Sequence, residues 1–99
     1  MNGSVVPVKA YLLTFVVPRE PILEFLDSRR EVLNWFAVFP NTILVASRSD
    51  LTALTGILRV SFPWLWFILA ELEPTKVNGF INQPVWEFIN QPKSSGRWE

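Results

Sequence analysis

The chain has no cysteine and no histidine among its 99 residues. Disulfide bonds, zinc sites built from Cys and His, and catalysis that depends on either side chain are therefore excluded. An excess of charge is also missing, because nine basic residues balance nine acidic ones. Nucleic-acid-binding domains usually carry clustered basic residues, and the one adjacent basic pair, Arg29-Arg30, has acidic residues on both sides. We interpret this pair as a solvated helix end; with Arg19 and Arg48 it could form a local patch for nucleic acid.

A long uninterrupted apolar run is missing as well. The most hydrophobic window, Ile57–Ala70, contains Arg59 and Pro63 and is shorter than the roughly 20 residues that a spanning helix needs. The first four residues lack the basic start of a secretion signal. We therefore expect a cytoplasmic protein that makes no use of a membrane.

Apolar and aromatic residues are abundant, at 49% and 14% of the chain. The length suits one domain with a real core, and we expect that domain to span residues 1–90. Five Trp and eight Phe must be placed in this core, in a subunit interface or in a ligand site. Residues 91–99 are polar and contain Ser and Gly, so we expect a flexible tail.

The segment Asn34–Ser47 predicts a central β-hairpin. Two runs of β-branched and aromatic residues are joined by Pro40-Asn41, a pair that favours a turn. Counting outward from this turn gives two apolar faces, the first with Phe36, Val38, Ile43 and Val45, and the second with Trp35, Ala37, Leu44 and Ala46. A hairpin that is apolar on both faces should lie in the middle of a sheet.

The remaining pattern predicts an α+β fold. Two strands, two amphipathic helices and a short C-terminal helix are expected at Val8–Val17, Trp64–Glu73, Pro21–Leu33, Leu51–Phe62 and Gln83–Asn90. Ser49 or Asp50 would cap the second helix. The order βαββαβ is that of a ferredoxin-like fold, a four-stranded antiparallel sheet with two helices on one face and, here, a short C-terminal appendage.

Such a sheet leaves its second face open, and we expect that face, or a sheet edge, to form a homodimer interface. We assign to it alternate apolar residues of the first and last strands and two aromatic residues of the appendage, namely Tyr11, Leu13, Phe15, Leu65, Phe67, Leu69, Phe80 and Trp86. The segment Gly79–Asn90 could cover part of this face on its own subunit or on the partner.

Three blocks of sequence resemble a small bacterial family labelled SinR-like, which is distinct from the helix-turn-helix regulator of that name. The blocks are Lys9–Phe15, Trp35–Leu51, and Gly79-Phe80-Ile81 followed by Trp86–Ile89. This family is similar to the small CRISPR-associated adaptation nuclease, so the resemblance implies a ferredoxin-like fold. It also implies a metal-binding Asp directly after the aromatic residue that corresponds to Phe15.

That position is Val16 here. Valine offers no oxygen ligand for the divalent cation that such phosphodiester cleavage needs. The nearest acid, Glu20, follows Pro18 and is explained by the start of a helix. We therefore expect no catalytic residue, no metal site and no cofactor.

Two further features have alternative interpretations. Glu71 and Glu73 could act as a carboxylate pair, but acids on a strand that emerges into solvent are a simpler reading. Trp64 and Trp66 could stack on bases, although the absence of interleaved Lys or Arg favours core positions. Trp86 could close a pocket or hold the last helix on the sheet.

Three classes of function follow from these observations. A non-catalytic interaction or structural protein that forms a homodimer, with or without a further protein partner, is favoured. A nucleic-acid-associated scaffold that keeps the relatives' shape is disfavoured by zero net charge. A metal-dependent nuclease is disfavoured by Val16.

Overall fold

The computed structural model describes residues 6–98, so residues 1–5 and 99 of the expected domain and tail lie outside the described part. The elements are β1 Lys9–Phe15, α1 Glu20–Ser28, β2 Asn34–Phe39, β3 Thr42–Ser47, α2 Leu51–Ser61, β4 Phe67–Leu72, a 3₁₀ turn Pro74–Lys76, and α3 Gln83–Asn90. The strands form one antiparallel sheet in the order β2-β3-β1-β4, which confirms the ferredoxin-like α+β fold. None of the helices in residues 6–98 has the length and apolar character needed to cross a membrane.

Capping and proline residues set the limits of the two sheet-packed helices. The Asp50 carboxylate accepts a hydrogen bond of 2.8 Å from the backbone N–H of Ala53, so Asp50 rather than Ser49 caps α2. Pro21 occupies the first turn of α1, where its missing N–H has no cost. This helix ends at Ser28, earlier than predicted, yet Leu33 is still buried after the chain turns toward β2.

A β-bulge changes the predicted pairing of the central hairpin. Phe39 lies opposite Thr42 across the Pro40-Asn41 turn, as counting from the turn requires, but Ala37 then lies opposite Ile43. Val38 is therefore the extra residue. This one insertion moves the side chains of β2 that lie farther from the turn, residues 34–37, to the face opposite the one predicted. The predicted grouping of Phe36 and Val38 with Ile43 and Val45 is wrong for this reason.

The two faces of the sheet carry separate apolar clusters. The larger cluster lies between the sheet and the two helices, and includes Tyr11, Ile22, Val45 and Leu58. The smaller cluster lies on the opposite face, where Val85 and Ile89 of α3 pack against Leu44 of β3. The appendage thus covers part of the sheet of its own subunit.

The polar tail contacts the domain closely. The Arg97 guanidinium donates hydrogen bonds to the carbonyl groups of Leu26 (3.3 Å) and Val32 (2.9 Å) and forms an ion pair with Asp27 (2.9 Å). The indole N–H of Trp98 donates to the same Val32 carbonyl at 3.1 Å. These bonds satisfy carbonyl groups in the last turn of α1 and in the segment that follows it, and the tail's composition gave no sign of them.

Candidate interaction surface

The sheet face chosen from the sequence is the face that the helices cover. Four of the eight predicted interface residues are buried in the larger cluster, namely Tyr11, Leu13, Phe15 and Leu65. Phe67 and Leu69 are partly buried against the same cluster. Trp86 is half-buried on α3, and Phe80 is fully exposed. The assignment of the β1 and β4 residues to the open face is therefore corrected. The β1 and β4 residues of this set do share one face of the sheet, but α1 and α2 pack on that face.

The uncovered part of the sheet is a small area at one end of β1 and β4. Thr14 lies opposite Ile68 in the β1–β4 register, on the face away from the two helices. Val16 and Trp66 continue this area beyond the strand ends and line a shallow groove of about 300 Å³ with Thr14 and Ile68. Val16 is 74% exposed, Trp66 81% and Ile68 67%. We call these four residues the uncovered surface.

The position of α3 explains why this end stays uncovered. The cluster formed with α3 includes Leu72, which lies at the opposite end of β4, together with Leu12 of β1 and Leu44 of β3. The eight residues of α3 extend only about 12 Å, which is too short to reach across the whole sheet. Trp66 and Ile68 therefore keep their side chains in solvent.

Trp64 extends the aromatic character of this region. Its ring contacts Phe62 edge to face, with 6.0 Å between ring centroids, yet the residue is 61% exposed. The sequence-based preference for Trp64 and Trp66 as core residues is thus wrong. Both lie just before β4 in the chain, where the backbone leaves α2 and no element of residues 6–98 packs over them.

A second groove lies on the helix side of β4. It has a volume of about 630 Å³, and its lining includes Arg59 of α2 together with Leu65, Phe67 and Leu69. Arg59 is exposed, and among residues 6–98 no carboxylate is within ion-pair distance of it. Arg59 lies in the last turn of α2, where the helix dipole favours a cation. The sequence did not reveal that this residue lies beside an edge strand.

A small apolar cavity of about 220 Å³ lies between α3, the segment that precedes it and the sheet. Trp86 lines it and also packs in the smaller cluster, so this residue does hold α3 on the sheet. Phe80 lies at the rim with its side chain in solvent. The cavity adjoins the predicted appendage residues but carries no charged side chain in its lining.

The two acidic residues of interest lie at the far end of β4. Glu71 is 3.7 Å from Lys9 and Glu73 is 3.7 Å from Lys76, in both cases with largely solvated side chains. No group of three potential metal-ligating side chains occurs within residues 6–98.

Burial raises the pKa of Tyr11, and the nearby carboxylates of Glu71 and Asp50 raise it further. The Tyr11 hydroxyl donates a hydrogen bond of 2.7 Å to the carbonyl of Ser49.

The four arginines of the predicted nucleic-acid patch are spread along α1 and beyond β3. Arg19 precedes α1, whereas Arg29 and Arg30 follow its last residue. Arg29 forms a 3.1 Å ion pair with Glu31, and the Arg30 guanidinium lies 5.3 Å from the centre of the Trp98 ring. Arg48 also has an interaction within the protein. Arg29, Arg30 and Arg48 thus already interact within the protein, which makes these three cations less available to a phosphate backbone.

Comparison of the chain with protein-family models, with curated proteins and with solved structures gives no match. The resemblance to the SinR-like family therefore stays a prediction from the sequence, as does everything it implies beyond the fold.

Proposed function

We propose that this protein is a non-catalytic interaction protein that acts as a homodimer, with the dimer interface built around β4. The observation that carries the proposal is the concentration of exposed apolar side chains beside this strand. Val16, Trp64, Trp66 and Ile68 are each more than 60% exposed. Ordinary monomeric domains seldom group large apolar side chains in this way on their surface.

The size of this area fits a second copy of the chain. A Trp side chain presents about 200 Å², so Val16, Trp66 and Ile68 together leave on the order of 400 Å² in contact with water. A standard interface buries about 800 Å² on each partner, and the exposed edge of β4 with the Arg59 groove supplies further area around the apolar centre. Because the net charge is zero, two copies have no long-range repulsion to overcome.

Sedimentation velocity over a range of protein concentrations tests this proposal. We expect a species of twice the 11.4 kDa chain mass for the native protein. Ile68→Glu places a charge in the centre of the uncovered surface and should shift the distribution to monomer. Val60→Glu is the matched control, because Val60 is an 84% exposed aliphatic residue on α2, and it should leave the dimer unchanged.

Two results would reject the proposal. The first is a native protein that stays monomeric at several hundred micromolar. The second is a dimer that tolerates Ile68→Glu as well as it tolerates Val60→Glu, since the interface would then lie elsewhere. Circular dichroism of each variant confirms that the fold is retained, so loss of association is not confused with unfolding.

A further inference from the structure

We propose that the two copies associate by antiparallel pairing of their β4 edges, with Arg59 of each copy bound to Glu71 of the other. This inference rests on the proposed homodimer and specifies its geometry. The pairing would join two four-stranded sheets into one of eight strands. The unequal protection of the two sheet edges, the strand parity and the charges beside β4 all support this pairing.

The two edges of the sheet differ in how well they are protected. Natural edge strands avoid pairing with other chains through bulges, prolines, lysines or covering segments. The β2 edge has a bulge at Val38 and is followed by Pro40, and the backbone N–H of Ser95 in the tail donates a 2.9 Å hydrogen bond to Leu33, just before this strand. On β4 the register with β1 is continuous from Phe67 to Leu72.

The first four residues of β4 also lack protective side chains. The strand reads FILAEL, without Lys or Pro, and its first four residues are uncharged. No further strand pairs with β4 on its outer side within residues 6–98. A regular apolar edge that is unpaired in one copy is well suited to pair with the same edge in a second copy.

Strand parity limits the registers that a two-fold axis allows. Opposed residues of an antiparallel pair point to the same face, so a two-fold axis perpendicular to the sheet pairs residues whose numbers sum to an even value. An axis at Leu69 and an axis at Ala70 each pair five residues of the strand. The axis at Leu69 sets Phe67 opposite Glu71 of the second copy, whereas the axis at Ala70 would set Phe67 opposite Glu73. On the other face the axis at Leu69 sets Trp66 opposite Leu72, which brings the exposed indole onto apolar surface.

The charges favour this arrangement over its alternatives. Glu71 shares its face with Tyr11, which is the helix side of the sheet. Arg59 lines the groove on that same side, next to Phe67. The register centred on Leu69 therefore brings Glu71 of each copy to the groove that holds Arg59 of the other. An axis at Glu71 would instead place the two Glu71 side chains opposite each other on the same face, and like charges in that position destabilise a strand pair.

Charge reversal with mixing of variants tests the contact. Arg59→Glu and Glu71→Lys should each raise the dimer dissociation constant by at least about tenfold, because each creates two like-charge contacts per dimer. A one-to-one mixture of the two variants should form a heterodimer close to native affinity, since both contacts are again between opposite charges. The mixture also separates this effect from the Lys9 contact that Glu71 makes within its own chain.

Glu87→Lys and Lys93→Glu provide the matched controls, because both residues are exposed and lie near α3 rather than β4. Each control should dimerise like the native protein, alone or mixed. A native dimer that is insensitive to the Arg59 and Glu71 reversals, or a mixture that fails to restore association, would overturn the pairing while leaving the homodimer intact. A native protein that is monomeric at every concentration would overturn both.

Discussion

The docking of α3 on the sheet determines which part of the open face stays exposed, and replacing Ile89 with alanine tests it. Ile89 is 5% exposed and packs in the smaller apolar cluster beside Leu44 and Val85. Removing a buried isoleucine side chain down to alanine costs about 2–4 kcal/mol, through lost burial and the cavity that remains. The 220 Å³ cavity already present beside this residue limits how well the site can collapse.

Urea unfolding followed by circular dichroism measures this loss at one fixed protein concentration, because association also contributes to apparent stability. Val60→Ala is the control, and it should change the free energy of unfolding by no more than about 0.5 kcal/mol, as expected for an exposed side chain. A loss below about 0.5 kcal/mol for Ile89→Ala would mean that α3 is not held on the sheet. The location of the uncovered surface would then have no basis.

Three further predictions concern titration, the tail and catalysis. Absorbance at the tyrosinate band should show the single tyrosine, Tyr11, ionising above its ordinary pKa of 10, and a midpoint at or below 10 would contradict the burial argument. Because the folded state then holds the phenol proton more tightly than the unfolded state, the free energy of unfolding should fall as pH rises above 10. Arg97→Gln should lower the free energy of unfolding by about 1–2 kcal/mol through lost hydrogen bonds to backbone carbonyls, whereas an equal effect from the exposed control Lys93→Gln would remove the special role of Arg97. Purified protein should not cut DNA or RNA with magnesium or manganese and should bind either no better than about 10⁻⁴ M at physiological salt; sustained cleavage, or a micromolar complex with steep salt dependence, would reverse this.

The element order was predictable because each element has its own local signal. Pro21, Asp50 and Pro84 mark helix starts, and runs of β-branched and aromatic residues mark the strands. The bulge at Val38 was not predictable in this way, because the hairpin is apolar on both faces and no polar residue reveals a change of parity. Both registers satisfy the same sequence pattern.

The open face could not be assigned for a related reason. Both parities of β1 and β4 contain large apolar side chains, so the sequence alone does not say which set meets the helices. The structure resolves this through packing, with Leu13 in the core and Ile68 in solvent. Arg59 became of interest only when the fold placed it beside an unpaired strand, which is information about neighbours in space rather than along the chain.

The most direct test of the account is amide hydrogen exchange along β4, measured by NMR at low and high protein concentration. In a single copy, alternate N–H groups of an edge strand point outward and exchange rapidly. If β4 pairs with β4 of a second copy, the outward amides of Phe67–Leu72 should become protected as concentration rises, while the amides of the β2 edge stay unchanged. Outward amides of β4 that remain unprotected at concentrations where the protein is dimeric would contradict the account.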